Sequence, residues 1–307
     1  MIRNNSHHTL ICLAAFKGQA HIREQIDSLL QSTCVSIAVA VSVDELNLNA
    51  KSETCRIVEE YSLIDGRVSI LPNIGRIGSA ALNFFRLICE ASIIDYDYVA
   101  LSDQDDIWNN NKLISAIEKL KEMGVDAYSS NVTAFWSNGV IKVIHKAQPQ
   151  VTYDYMFESA GPGCTFVLTR KLALDLQSFL RSNQTACQDV TLHDWFIYAF
   201  ARSRGYTWHI DPEPHMLYRQ HAANVLGANV GFKAAWVRWR KLRAGWLRQQ
   251  AILIADILGY ADQNPIIRIK QYRIVDRVAL IFQIGELRRK WSDRLVLAAS
   301  LLLPVKK

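Results

Sequence analysis

Asp97-Tyr-Val-Ala-Leu-Ser-Asp-Gln-Asp-Asp-Ile-Trp108 reads as a buried strand, Asp97–Leu101, that runs straight into a loop with three carboxylates within four residues. Upstream, three more strand-length apolar runs stand at Thr9–Ala15, Val35–Val43 and Arg67–Leu71, each followed by a helical pattern. Ile22, Ile26, Leu29 and Leu30 share one helix face, and Ser52 is placed to cap a helix over 52–61. Helices are also expected at Ser79–Ala91 and Asn111–Met123. Strands that are apolar throughout and alternate with helices predict a parallel sheet covered on both faces, an α/β fold. Downstream the pattern changes. Ala127–Phe135 and Val140–Ile144 flank Ser137-Asn-Gly139, a hairpin signal. Helices at Lys171–Leu180 and Asp189–Ser203, a strand at Tyr206–Ile210 and a purely helical pattern from Lys233 follow.

The chain has 307 residues, half of them hydrophobic and 21% charged, which excludes disordered, collagenous and disulfide-scaffold classes. The polar start and the short run Leu10–Phe16 do not form a secretory signal, and no stretch approaches the ~20 apolar residues of a spanning helix. A cytoplasmic protein is expected. Its six cysteines contain no CxxC pair and read as reduced and mostly buried. Charge is unevenly spread. Residues 1–232 carry 19 basic and 24 acidic side chains, whereas residues 233–307 carry 16 and 5, with four of the eight tryptophans. Two regions follow: a mildly acidic domain over 1–232 and a basic, aromatic helical extension over 233–307.

Ligands of open parallel sheets bind beyond the carboxyl ends of the strands, which directs attention to the loop after Leu101. Carboxylates this close repel unless a cation or donor neutralises them. Mg²⁺ or Mn²⁺ needs only one or two carboxylates besides substrate phosphates, so Asp103 and Asp105 suffice, with Asp106 placed outside that shell. A solvated acidic turn is the alternative. A calcium-loop reading fails, because Ile107 and Ile114 occupy ligand positions.

Four stretches, Leu13-Ala-Ala-Phe-Lys-Gly18 with the helix after it, Ser42-Val-Asp44, Ser102-Asp-Gln-Asp-Asp-Ile-Trp108, and His193-Asp-Trp195 with Leu217-Tyr-Arg-Gln-His221 and Asn224, together resemble the family-2 glycosyltransferases of GT-A fold. Within that family the chain resembles the bacterial rhamnosyltransferase-like members, over about residues 9–230. The resemblance implies an inverting transferase using a nucleoside-diphosphate sugar, with dTDP-L-rhamnose the leading donor and UDP-hexoses behind it. It implies a role for each matched residue. Phe16 would stack on the base and Asp44 would accept from the pyrimidine imide, although Val43 and Glu45 depart from the pattern around it. Arg76, opening a helix with Asn73-Ile-Gly, and Arg219 would hold the diphosphate. Asp103 would serve the ribose or sugar, and Asp105 the metal. Gly163 and Trp195 would lie on the acceptor side, and Asp194, at the start of a helix, would be the general base.

Two other classes compete. A nucleotidyltransferase should show a glycine-rich basic run after the first strand, which Ala14-Ala-Phe-Lys-Gly18 does not supply. A non-catalytic membrane or nucleic-acid binder leaves the Asp103–Asp105 and His193–Trp195 clusters without purpose. Trp236-Val-Arg-Trp-Arg-Lys-Leu-Arg-Ala-Gly-Trp-Leu-Arg248, Arg288-Arg-Lys-Trp291 and Lys306-Lys307 mix tryptophan with cations, which suits an anionic membrane interface; a solvated basic face on helices packed against the catalytic domain and a nucleic-acid patch are the competing readings. The expected location is therefore peripheral, on the cytoplasmic face of the inner membrane, near a glycan or lipid-linked glycan acceptor. No nucleic-acid partner is expected.

Overall fold

Strand β1 (His7–Ala15) shows why the runs are apolar throughout: Leu10, Cys12 and Ala14 enter one hydrophobic cluster, and Ile11, Leu13 and Ala15 the other. The computed structural model describes residues 7–33, 35–48, 51–220 and 245–302. After β1 come α1 (Ile22–Leu30), β2 (Val35–Val43), α2 (Glu53–Ile64), β3 (Val68–Ile70), α3 (Ala80–Glu90) and β4 (Tyr98–Asp103). Next are β5 (Ile107–Trp108), α4 (Lys112–Met123), β6 (Ala127–Ser130), β7 (Val132–Trp136), β8 (Ile141–Ile144), β9 (Val167–Thr169) and α5 (Arg170–Ser182). Then α6 (His193–Ser203), β10 (Trp208–Asp211) and β11 (Met216–Gln220) precede α7 (Trp246–Leu258), α8 (Ile266–Gln271), α9 (Ile274–Phe282), α10 (Ile284–Leu287) and α11 (Trp291–Leu302).

The main sheet has the order β10-β6-β9-β4-β1-β2-β3. Its β4-β1-β2-β3 half is parallel, and the register sets Ala14 beside Asp103 and Ala15 beside Val43. The loops after β1, β2, β3 and β4 thus leave one edge together. The chain reverses its order between β1 and β4, where a crevice opens in such sheets. Helices α1, α2 and α4 cover one face, and α3, α5, α6 and α7 the other. The caps follow the sequence: Ser52 accepts from the Cys55 amide, Ser79 from the Leu82 amide, and Gly124 closes α4 at φ 61°.

Two expectations are corrected. The run Ala127–Phe135 is two strands, because buried Asn131 bonds Pro212 O and the Lys146 and Ala147 amides and ends the first strand at Ser130. Its second part, β7, forms the expected hairpin with β8, within a small sheet of order β5-β11-β7-β8. The sheet is mostly parallel, as expected, with one antiparallel member, β9, between β4 and β6. Finally, α6 starts at His193 rather than Asp189, because Gln250 of α7 accepts from Thr191 and donates to Asp189 O, holding that backbone outside the helix.

The helical extension shares the core of the sheet domain. Ala251, Ile254, Ala255 and Leu258 join the cluster formed by α3, α5 and α6. Asp154, fully buried, accepts from Tyr198, Arg202 and Arg289, which ties the turn before α11 to α6. The boundary expected at residue 232, the Trp236–Arg243 basic run, His221, Asn224 and Lys306-Lys307 lie outside the described residues. Five cysteines are buried and free, and Cys34 also lies outside the described residues. Among the described residues no helix is long and apolar enough to cross a membrane.

Candidate active site

The loops after β1 and β4 are clamped to each other. Gln104, between the two aspartates of the motif, accepts from the Phe16 amide at 2.7 Å and donates to Phe16 O at 2.8 Å. Gly18 makes this possible, since a Cβ there would overlap the Gln104 amide. Phe16, expected to stack on the base, is 40% exposed. Gln104 was not singled out in the sequence; its only signal was its place inside the acidic motif.

The carboxylates converge. One donor atom each from Asp103, Asp106 and Cys164 lie within 4.8 Å of one another. Cys164 arrives because β9 runs antiparallel to β4, which brings the 3₁₀ turn Gly163–Thr165 to the carboxyl end of β4. Burial, then the charges of Asp105 and Asp194, push Asp103 up to about 7. Burial, then Asp103 and Asp105, hold Asp106 well above the carboxylate range. Burial and the same carboxylates raise the Cys164 thiol, which favours a protonated donor over a thiolate. Asp106 Oδ2 is fully buried with no hydrogen-bond partner, and Lys112, pushed down to about 7 by burial, lies over the Trp108 ring at 3.2 Å. A buried oxygen without a donor, among raised carboxylates, fits a hard divalent cation. Asp103 of the expected metal pair lies in this cluster, together with Asp106 and Cys164. Asp105, between Asp103 and Asp106 in the chain, adds its charge to both.

Asp194 reaches the same cluster from α6, close enough for its charge to raise Asp103. It lies in the first turn of the helix. Burial pushes Asp194 up to about 6, opposed by the Trp195 amide (2.7 Å), the Lys146 ammonium and the Ser159 hydroxyl. Its neighbours have structural roles. Trp195, expected on the acceptor side, is buried, donates to Tyr155 O at 2.8 Å and packs on Trp246. One step of about 100° around a helix turns it from crevice to core. The absent Cβ of Gly163 accommodates the His193 ring, where a sugar contact was expected. That ring stacks on Phe84 at 4.0 Å and is held neutral, pushed down to about 3 by burial.

Asp44 is buried at the end of β2, and its two oxygens accept from the Ile77 and Gly78 amides at 2.7 and 2.9 Å. Each oxygen has a second lone pair, so the amides orient the carboxylate without exhausting it. Glu45 turns away to hold Ser52, the cap of α2. Arg76 is exposed in the loop 72–78, and that loop does not open α3, whose cap is Ser79. Arg219, expected on the diphosphate, braces the acidic loop: its Nε donates to Asp105 O at 2.8 Å, its amide to Asp106 at 3.2 Å, and its guanidinium pairs with Glu24 and lies over Phe135. Asn83 was also missed; it bridges Ala15 O and Ser42 O, joining the ends of β1 and β2.

No family model matches the sequence. The chain is 38% identical over 294 residues to the dTDP-rhamnosyl transferase RfbG of Shigella flexneri, covering 95% of this chain and 100% of the relative. It is 24% identical over 169 residues to the UDP-Glc:alpha-D-GlcNAc-diphosphoundecaprenol beta-1,3-glucosyltransferase WfgD of Escherichia coli, covering 55% of this chain and 62% of that one. Among solved structures it is similar to TarS 1-349 of S. aureus in complex with UDP, at TM-score 0.55 and 12% identity over 95% of this chain and 86% of that one. The same protein with UDP-GlcNAc superposes at TM-score 0.51 and 13% identity, over 92% and 81%. The structures share the fold, and the full-length relative shares the sequence. The chain belongs to the family-2 glycosyltransferases of GT-A fold, in their rhamnosyltransferase-like group.

Proposed function

We propose that this glycosyltransferase moves L-rhamnose from dTDP-L-rhamnose, with inversion, to a hydroxyl of a lipid-linked glycan at the cytoplasmic face of a membrane, in cell-surface polysaccharide synthesis. The observation that carries the reaction is the meeting of Asp194, from α6, with the carboxylates after β4 in one crevice. The donor is that of the dTDP-rhamnosyl transferase RfbG, to which the chain is similar over its length. Phe16 stacks on the thymine, and Asp44 accepts from its imide N–H. Arg76, exposed beside this pocket, is the cation available to the diphosphate. Arg219 acts through the loop it braces. Asp103 and Asp105, backed by Asp106, are the residues to hold Mg²⁺ or Mn²⁺, which when bound offsets the charge on the leaving diphosphate. Asp194 takes the proton of the acceptor hydroxyl. The hydroxyl oxygen bonds to the anomeric carbon as that carbon's bond to phosphate oxygen breaks, and dTDP leaves with the electron pair.

Radiolabelled dTDP-L-rhamnose, the purified enzyme, Mn²⁺ and bacterial membranes carrying lipid-linked glycans test the proposal. Label should enter the solvent-extractable lipid fraction. Labelling from UDP-glucose or UDP-GlcNAc in place of dTDP-L-rhamnose would overturn the donor assignment and keep the reaction class.

A further inference from the structure

Helices α9 and α11 are amphipathic in an unusual sense, with large apolar side chains facing solvent. On α9, Ile274 (73%), Val275 (65%), Val278 (44%) and Phe282 (86%) are exposed. Ile274, Val278 and Phe282, four residues apart, form one stripe. On α11, Trp291 (68%), Leu295 (54%), Val296 (50%) and Leu302 (69%) are exposed, with Trp291 and Leu295 again on one line. The inward positions are filled by Leu280, Leu297 and Leu301. The helices run antiparallel, joined where Arg277 donates to Leu301 O and Tyr272 to Ser300 O. Phe282 and Trp291 therefore stand toward one end of the pair, Ile274 and Leu302 toward the other.

Eight large apolar side chains open to water on one helix pair exceed the scattered exposure normal for a monomer. The charge around them has one dominant sign. Residues 268–302 contain eight arginine and lysine residues against three carboxylates; Arg273 is paired with Asp276, Lys270 with Asp256, and the buried Arg289 with Asp154 and Glu158, and the excess that remains is basic. Exposed Lys290 adjoins Trp291, and the largely exposed Arg273 adjoins Ile274. Apolar stripes edged by cations, with a tryptophan at the margin, match the depth profile of an anionic bilayer surface: chains below, ring and headgroup at one level, phosphates above. The pair is also attached beside the reaction site, since Arg288 donates to Phe157 O and Arg289 to Ser159 O, and Ser159 faces Asp194.

We infer that α9 and α11 form the surface by which the enzyme docks on an anionic lipid bilayer. This deepens the proposed function, and it rests on that reading only for its purpose, access to a lipid-linked acceptor.

Flotation of the full chain with vesicles of phosphatidylcholine and phosphatidylglycerol, and with phosphatidylcholine alone, tests the inference. The variant carries V278E and F282E on α9 with W291E and L295E on α11, all exposed positions outside the catalytic crevice. Wild type should float with the anionic vesicles in low salt, far less with the neutral ones, and substantially less near 0.5 M salt, where screening shortens to about 4 Å. The variant should bind about tenfold or more weakly, because the apolar faces insert, with dTDP affinity and melting temperature unchanged. Equal flotation of wild type and variant overturns the docking surface. So does a wild type that never floats but forms a dimer that the variant abolishes, since the face then meets a second copy. Loss of donor binding with flotation intact removes the proposed reaction and leaves the membrane surface standing.

Discussion

Replacing Asp194 with asparagine should separate catalysis from stability in opposite directions. Burial lifts this carboxyl from 3.8 to about 6. Carrying its charge at neutral pH therefore costs the folded chain up to about 3 kcal/mol, less what solvent screens at its partly exposed edge. Asparagine has no charge and still accepts from the Trp195 amide, so Asp194→Asn should melt no lower than wild type and up to a few degrees higher. The folded chain holds this proton more tightly than the unfolded chain does. Its contribution to wild-type stability therefore falls as pH rises from 3.8 through about 6, and the variant loses that slope. Turnover should fall by about 10²–10⁴, the range of a general base, with donor affinity unchanged. The wild-type rate should drop about tenfold per unit below a midpoint no higher than about 6, since a nearby cation would lower it further. dTDP release from dTDP-L-rhamnose with membrane acceptor, beside calorimetric melting from pH 4 to 8, measures both. A variant that keeps more than about a tenth of the rate, or that melts several degrees lower, refutes the assignment.

Chelation, or Asp105→Ala, should abolish calorimetric binding of dTDP, and equal affinity with and without Mn²⁺ contradicts the metal reading. Gly18→Ala drives the Gln104 amide off Phe16, so the two hydrogen bonds lost there should weaken dTDP binding about tenfold with little change in melting temperature. Trp195→Phe leaves Tyr155 O without its buried donor and should cost about 1–3 kcal/mol in denaturant unfolding, with the acceptor KM unmoved; a changed KM restores the acceptor-side reading. Gly163→Ala should destabilise by a similar amount, because the His193 ring is wedged between it and Phe84.

The parallel half of the sheet was legible because β1, β2 and β4 are buried on both faces and so leave unbroken apolar runs. The carboxylate motif was legible because its residues are contiguous. What escaped depends on contacts distant in sequence. Cys164 meets Asp106 only because β9 returns antiparallel, and a strand of three residues carries no sign of direction. Asn131 breaks a strand through partners at 146, 147 and 212. Arg219 looked like a phosphate ligand by type, yet Asp105 O and Glu24, from two other elements, take its guanidinium. Trp195 shows the same limit at short range, since whether the residue after Asp194 faces crevice or core depends on where α6 begins, which Gln250 of a later helix decides.

The central claim is that the crevice between β1 and β4 binds a thymidine-linked donor. Calorimetric titration of the full chain with dTDP-L-rhamnose in Mn²⁺, against UDP-glucose and UDP-GlcNAc, tests it most directly. dTDP-L-rhamnose should bind saturably, one to one, with binding lost in Asp105→Ala and kept in Asp194→Asn. No heat from any of the three donors, or binding of dTDP-L-rhamnose that survives Asp105→Ala and chelation alike, would contradict it.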